Sequence, residues 1–104
     1  MHDFSELYSH YPALIEQMPE TFTSHEFILR LAQRHQQLYI EALYSYRDAL
    51  HRGGQAPFMI VHGILAKQLS NYPTLIEHIG DVMSVDIFGQ QNGCARWRRR
   101  SSAA

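Results

Sequence analysis

The chain has 104 residues, 45 % of them hydrophobic and 18 % charged, which is the size and balance of one globular domain rather than of a disordered chain. Its formal net charge of −1 gives it no overall attraction to a polyanion. Cys94 is the only cysteine, which excludes an intrachain disulfide and a cysteine-rich zinc site and favours a reducing compartment such as the cytoplasm.

The first half of the chain is predicted to be helical. Residues 3–18 form one or two short helices, with Pro12 in a first helical turn. A long helix is predicted over residues 24–51, because Thr23 and Glu26 have the spacing of a capping box and apolar residues then recur at helical spacing. Gly53-Gly54 ends this helix. Its length exceeds what one side of a small core needs, so the surplus predicts a homodimer contact.

Two further helices and a hairpin are predicted in the second half. Pro57 opens a helix over residues 57–70, and turn residues then precede a short helix over residues 73–79. Residues 82–88 are rich in β-branched and aromatic residues, and Asn92-Gly93 is a strong turn signal, so a hairpin is predicted over residues 82–98 with its turn at Gln91–Gly93. One shared core is expected, formed by Phe27, Leu31, Leu38, Leu65, Leu69, Ile76, Ile79 and Trp97.

This order of elements resembles the winged helix-turn-helix superfamily. Leu65-Ala66-Lys67-Gln68-Leu69 matches the first helix of the motif, and Ile76 and Ile79 fall where the second helix needs inward apolar residues. The chain departs from the family at Ser70-Asn71, where Gly and an apolar residue are usual, and at Pro73. The resemblance implies a mainly α fold: a helical domain with a helix-turn-helix and a C-terminal β-hairpin, winged-helix-like, over residues 1–99, followed by a disordered tail at residues 100–104.

The resemblance also implies contact with duplex DNA through the second helix of the motif and the hairpin. Charge is unevenly distributed, since residues 1–56 carry four arginines against seven acidic residues and residues 57–104 carry five basic residues against three acidic ones. Phosphate contacts are therefore predicted in the C-terminal third, and only weak, non-specific binding is expected because Glu77 and Asp81 repel phosphate. The candidate DNA-binding residues are Thr74, His78, Gln90, Gln91, Asn92, Arg96, Arg98, Arg99 and Arg100.

No catalytic, metal-binding or cofactor-binding constellation is recognised. The seven histidines include no pair four residues apart, and Cys94 has no linear sign of the base that a nucleophile needs. No signal peptide and no membrane-spanning run is predicted. Two functions stay open: a small DNA-binding or regulatory protein, dimeric through the long helix, and a protein-interaction module that uses the same fold without nucleic acid.

Overall fold

A computed structural model describes residues 2–48 and 56–100 of the chain. None of the helices within these ranges is both long enough and apolar enough to cross a membrane. In chain order the elements are α1 (Ser5–Tyr8), α2 (Tyr11–Gln17), β1 (Thr21–Thr23), α3 (Ser24–Arg34), α4 (Gln36–Ser45), α5 (Pro57–Gln68), a 3-10 helix (Leu69–Asn71), β2 (Ile76–Val85) and β3 (Gln91–Arg99).

The predicted mainly α fold is wrong. Helix accounts for 51 % of the described residues and strand for 24 %, so the fold is α/β. The strands form one antiparallel sheet in the order β1-β3-β2. Strand β1 is not foreseen from the sequence, because its three residues are too few to show an alternating pattern. It forms because β3 lies beside it and pairs Phe22 with Trp97.

The predicted helix over residues 24–51 is two helices. Helix α3 ends at Arg34, and His35 has φ −130° and ψ 56°, outside the helical region, so α4 starts only at Gln36. The ring of His35 stacks on that of His10, with 3.8 Å between ring centroids. This contact with the residue before α2 is a tertiary interaction that periodicity within residues 24–51 does not reveal. Residues 49–51 and the predicted Gly53-Gly54 stop lie outside the described residues.

The predicted capping box at the start of α3 is confirmed. The backbone N–H of Glu26 donates to Oγ1 of Thr23 at 3.1 Å, and the N–H of Thr23 donates to Oε1 of Glu26 at 2.9 Å. Trp97 is tied to the same helix start, because its indole N–H donates to Oγ of Ser24 at 3.0 Å. The first turn of α3 is therefore fixed both locally and by the sheet.

The predicted helix over residues 73–79 does not form, and the predicted helix-turn-helix is therefore wrong. Helix α5 begins at Pro57 as expected, but Ile76 to Ile79 belong to β2. The three-residue spacing of Ile76 and Ile79 suits a helix, yet pairing with β3 overrides this local preference. Ile79 lies at a β-bulge before Gly80, whose φ of +144° accommodates the irregularity.

The predicted hairpin is present, with a different turn. Strands β2 and β3 pair from Ile76 opposite Arg99 to Val85 opposite Gln91. The turn follows Asp86 because its carboxylate accepts hydrogen bonds from the N–H groups of two turn residues, and Gly89 adopts a φ of +85°. Asn92 and Gly93 consequently lie inside β3 rather than at the turn.

One hydrophobic core joins the helices to the base of the sheet. It contains most of the residues predicted for it: Phe27, Leu31, Leu65, Leu69, Ile76 and Trp97. Leu38 packs against this core while partly exposed, and Ile79 is partly exposed at the bulge. The hydroxyl of Tyr11 donates to the backbone carbonyl of Leu65 at 2.7 Å, which satisfies a polar group inside the core and ties α2 to α5.

Candidate functional site

Helix α5 and the hairpin face each other across a groove of about 870 Å³. The start of α3 also contributes to its wall. This volume lies within the usual range of binding clefts, roughly 300–1,000 Å³. The apolar part of the lining consists of Ile28, Phe58, Met59, Ala66, Leu69, Ile76, Ala95 and Trp97.

Helix α5 forms one wall of the groove. Phe58, His62 and Ala66 line it at four-residue spacing and so lie on one face of the helix. Gly63 lies beside this face and is exposed, and a Cβ atom at Gly63 would meet nothing within 4 Å. The backbone of α5 is therefore accessible from the groove. The helix is about 18 Å long, since each of its residues adds about 1.5 Å.

The hairpin forms the opposite wall. Gly93, Ala95 and Trp97 alternate along β3 and share one face of the sheet. The small side chains at positions 93 and 95 leave space above this face. Trp97 is buried, and its ring lies 5.4 Å from that of His78 on β2. The sheet thus provides an apolar wall that is open towards the turn.

Large apolar side chains are exposed at the end of β2 and in the turn that follows it. Met83, Val85 and Phe88 leave 60 %, 55 % and 53 % of their surface accessible. The ring of Phe88 lies 4.3 Å from that of Phe58, so the turn rests on the first turn of α5. Large apolar side chains exposed close together are typical of an interaction surface.

A buried polar network lies at the same end of the groove. The carboxylate of Asp86 accepts from the N–H groups of Phe88 at 2.9 Å and Gln90 at 3.0 Å and from Nδ2 of Asn92 at 3.0 Å. Oδ1 of Asn92 lies 2.9 Å from Nε2 of His25. Burial by itself raises the pKa of Asp86, but these hydrogen bonds outweigh it and lower the pKa. Asp86 is therefore ionised at neutral pH.

His62 joins this end of the groove to α4. Its Nε2 is hydrogen-bonded to the hydroxyl of Tyr39. Burial lowers the pKa of His62 to about 4, against the opposing charge of Asp86, and burial raises the pKa of Tyr39 to about 12. At neutral pH the phenol of Tyr39 stays protonated and donates a hydrogen bond to the neutral imidazole of His62. This hydrogen bond fixes the positions of both side chains.

Histidine, cysteine and acidic side chains are also part of the groove lining. Among the described residues, no group of three histidine, cysteine or acidic side chains has metal-binding geometry. Within the same ranges, neither His25 nor His62 is hydrogen-bonded to a serine, threonine or cysteine side chain. Cys94 lines the groove as a free, half-buried thiol.

The non-arginine residues predicted to contact DNA are spread along the hairpin and the turn before it. Thr74 is exposed in that turn, and His78 lies on β2 with its Nε2 at 3.0 Å from Oδ1 of Asp81. Gln90 ends the turn after β2, and Gln91 is exposed at the start of β3. Asn92 is held within the network of Asp86, so its amide is already occupied.

The four predicted arginines have different surroundings. Arg96 is exposed on β3. Arg98 and Arg100 lie 3.5 Å and 3.7 Å from carboxylate oxygens of Glu77. The guanidinium of Arg99 donates to the backbone carbonyl of Glu16 at 3.3 Å. Arg100, placed in the tail by the sequence, also donates its backbone N–H to the carbonyl of Leu75. Residues 101–104 lie outside the described residues.

The groove was not predicted from the sequence, and neither were the hydrogen bonds of His25, His62 and Asp86 at its turn end. A weak signal exists: Met83 and Val85 alternate with polar residues in front of an Asp-x-x-Gly segment, which is typical of a strand that ends in a turn. The chain matches no protein-family model, no curated protein and no solved structure. Functional conclusions therefore rest on the chemistry of the groove.

Proposed function

We propose that this protein is a non-catalytic interaction module whose groove between α5 and the hairpin binds an apolar segment of a partner protein. The observation that carries the proposal is the apolar lining of the groove, which includes Trp97, Ala95 and Phe58, together with the exposed Phe88, whose ring lies 4.3 Å from that of Phe58. Removing such a surface from water stabilises a complex by about 25 cal/mol per Å² of apolar area.

The shape of the groove supports a peptide segment. The length of α5 matches five or six extended residues at about 3.3 Å each, or roughly three turns of helix. Gly63 presents open space next to the helix backbone, so a second backbone has room to approach there. A segment of this length places two or three side chains in the groove.

DNA binding, the other function predicted from the sequence, has weaker support. The rim of the hairpin is apolar, and Glu77 lies within ion-pair distance of both Arg98 and Arg100. Over the whole of α5, Lys67 is the only lysine or arginine. Because phosphate affinity depends on cations that are free to neutralise the backbone, these features favour a protein partner.

The proposal is tested with a phage library of random peptides of about twelve residues, a length that covers the groove in either conformation. Enriched peptides are synthesised and titrated against the protein, with fluorescence of Trp97 as the readout, since it is the only tryptophan and lines the groove. Gly63→Phe fills the groove and is expected to weaken binding about tenfold or more, whereas Gly63→Ala adds a single methyl group and is expected to weaken it less than Gly63→Phe does. A library that yields no peptide sensitive to Gly63→Phe overturns the proposal.

The DNA alternative has its own measurement. Random duplex DNA is titrated at two salt concentrations, and binding through the four arginines predicts a log–log slope of roughly −3 to −4 that disappears when all four are changed to Ala. No binding at low salt removes this alternative.

A homodimer through α4, which lies within the region predicted as one long helix, is a separate proposal. Ile40 and Tyr44, four residues apart on α4, expose 60 % and 62 % of their surface. Light scattering after gel filtration is expected to give a dimer that Ile40→Lys converts to a monomer. A monomeric unmodified protein contradicts it.

We also propose a cytoplasmic location, because the chain has a single cysteine and no possibility of an intrachain disulfide. Microscopy of a fluorescent fusion in the source cell tests it, and a signal confined to another compartment contradicts it.

A further inference from the structure

The turn end of the groove holds a buried negative charge. Only 6 % of the surface of Asp86 is accessible, because the turn that it organises encloses it. Over residues 2–48 and 56–100, no lysine or arginine lies within ion-pair distance of its carboxylate. Asp81, further along the same wall, is paired only with His78 in these ranges. In these ranges the carboxylate is therefore compensated by hydrogen bonds from Phe88, Gln90 and Asn92 rather than by a lysine or arginine.

The charge of Asp86 reaches other residues of the groove. Besides burial, it raises the pKa of Tyr39, and it opposes the lowering of the pKa of His62 that burial causes. The charge of Asp86 therefore makes the electrostatic potential at this end of the groove negative.

A second polar group at this end lacks a partner. Nδ2 of Asn92 donates to Asp86, so its Oδ1 faces His25, and the imidazole must donate from Nε2. The Nδ1 atom of His25 is then an acceptor, and among the described residues it has no hydrogen-bond partner, in a residue that is 9 % exposed and lines the groove. What this position lacks is a hydrogen-bond donor.

The opposite end of the groove differs in charge. Lys67 lies on the exposed face of α5 near the end of that helix, and Arg100 is already paired with Glu77. Besides ion-paired side chains, the groove therefore carries the negative charge of Asp86 near the hairpin turn and the positive charge of Lys67 towards the end of α5. The segment complementary to it is apolar in the middle and basic at the turn end.

We propose that the segment bound in the groove carries a lysine or arginine whose side chain enters at the hairpin turn, beside Asp86 and His25. This inference rests on the proposed function and specifies the chemistry of the partner. Lysine and arginine offer only donors, so one such side chain adds a cation beside Asp86 and supplies a donor to Nδ1 of His25. Their aliphatic stems pack on Phe58 and Phe88, which a small inorganic cation does not do.

The test compares peptides selected from the same phage library on the unmodified protein and on Asp86→Asn. Peptides from the unmodified protein are expected to carry a basic residue at a constant distance from their apolar residues, and those from Asp86→Asn are not. Changing that lysine to Met is expected to weaken binding to the unmodified protein about tenfold and to leave binding to Asp86→Asn unchanged within about twofold. Asp48→Asn, at an exposed position outside the groove lining, is the matched control and is expected to change affinity less than about twofold.

The outcomes separate this inference from the proposed function. Peptides that are blocked by Gly63→Phe but show no basic residue, or an acidic one, overturn the inference and leave the interaction module standing. If losing the basic residue of the peptide weakens binding to Asp86→Asn as much as to the unmodified protein, the cation binds elsewhere, and the inference is also overturned. If Asp86→Asn does not fold, His25→Leu replaces it, and the same change in peptide preference is expected. Changing the basic residue of the peptide to methionine tests the inference on the unmodified protein, without any protein variant.

Discussion

The two halves of the sheet are held in place by different forces. At the base, Phe22, Ile76 and Trp97 are buried against the helices and belong to the core of the domain. In the far half, Met83 and Val85 are exposed, and the turn is fixed by hydrogen bonds to Asp86. Burial of apolar surface thus fixes the base, while a polar network fixes the far half and leaves its apolar side chains free. The half that contributes least to the core is the one that leaves large apolar side chains exposed.

The largest difference between the halves is expected from truncations. Leu65→Ala removes a fully buried side chain beneath the base and is expected to lower the free energy of unfolding by about 2–5 kcal/mol. Met83→Ala, in the far half, is expected to change it by no more than about 0.5 kcal/mol. Urea unfolding measures both. Equal losses would show that the two halves are stabilised in the same way.

Asp86→Ala is expected to have the next largest effect. It removes the acceptor of two turn N–H groups, which costs about 1–3 kcal/mol. Because the pKa of Asp86 is lowered in the folded state, its contribution is present above the unfolded pKa of about 3.9 and is lost as the pH falls through the folded pKa. The stability difference between protein and variant should therefore shrink in acid. Faster hydrogen exchange confined to the far half is the expected signature, and global acceleration would contradict it.

A smaller effect on stability, which depends on pH, is expected from His62 on α5, at the turn end of the groove. Its pKa is about 4 when folded and about 6.5 when unfolded, so the unfolded chain binds more protons between these values and stability falls as the pH drops from 6.5 to 4. The expected loss is about 1–2 kcal/mol, less than the full shift implies because solvent in the groove screens the charge. His62→Gln should flatten this slope.

His35 contributes in the same direction, because burial and the nearby His10 lower its pKa. His35→Gln is therefore the matched control in the pH titration of stability. A slope that His62→Gln leaves intact and His35→Gln removes would assign the effect to the junction of α3 and α4 instead of the groove.

The smallest expected change in stability is on α5, which faces the far half of the sheet across the groove. Gly63→Ala replaces a glycine inside α5, and the added Cβ meets nothing within 4 Å, so stability is expected to rise by about 0.5–1 kcal/mol. Thermal unfolding measures the change. A loss of stability would mean that the space beside Gly63 is filled.

Several elements could be predicted from the sequence because their signals are local. The capping box of Thr23 and Glu26 and the helix after Pro57 depend on residues three or four apart and were confirmed. The hairpin was also expected, although Asp86 rather than Asn92-Gly93 sets its turn. The interruption at His35 was not foreseen, because a contact with His10 has no counterpart in the spacing within the helix.

The remaining elements depend on residues far apart in the chain. Strand β1 exists only beside β3, and the same pairing makes Ile76 to Ile79 a strand although their spacing suits a helix. The groove combines α3, α5 and the hairpin, and the hydrogen bond between His25 and Asn92 spans 67 positions. The nine residues predicted to contact DNA follow from local sequence patterns rather than from contacts between distant residues, so they do not reveal the groove.

The pairing of β1 with β3 also has a consequence for the order in which the chain folds. Ser24 and its hydrogen-bond partner Trp97 are 73 positions apart, so closing this contact requires a large loop. The backbone hydrogen bonds within α3 and α5 are local, and such helices form within about a microsecond, whereas the sheet forms only when β1 and β3 meet. On the ribosome, Phe22 therefore stays without its partner strand until β3 has been synthesised. A folding transition state that includes the contact between β1 and β3 would make Trp97 the residue whose substitution slows folding most.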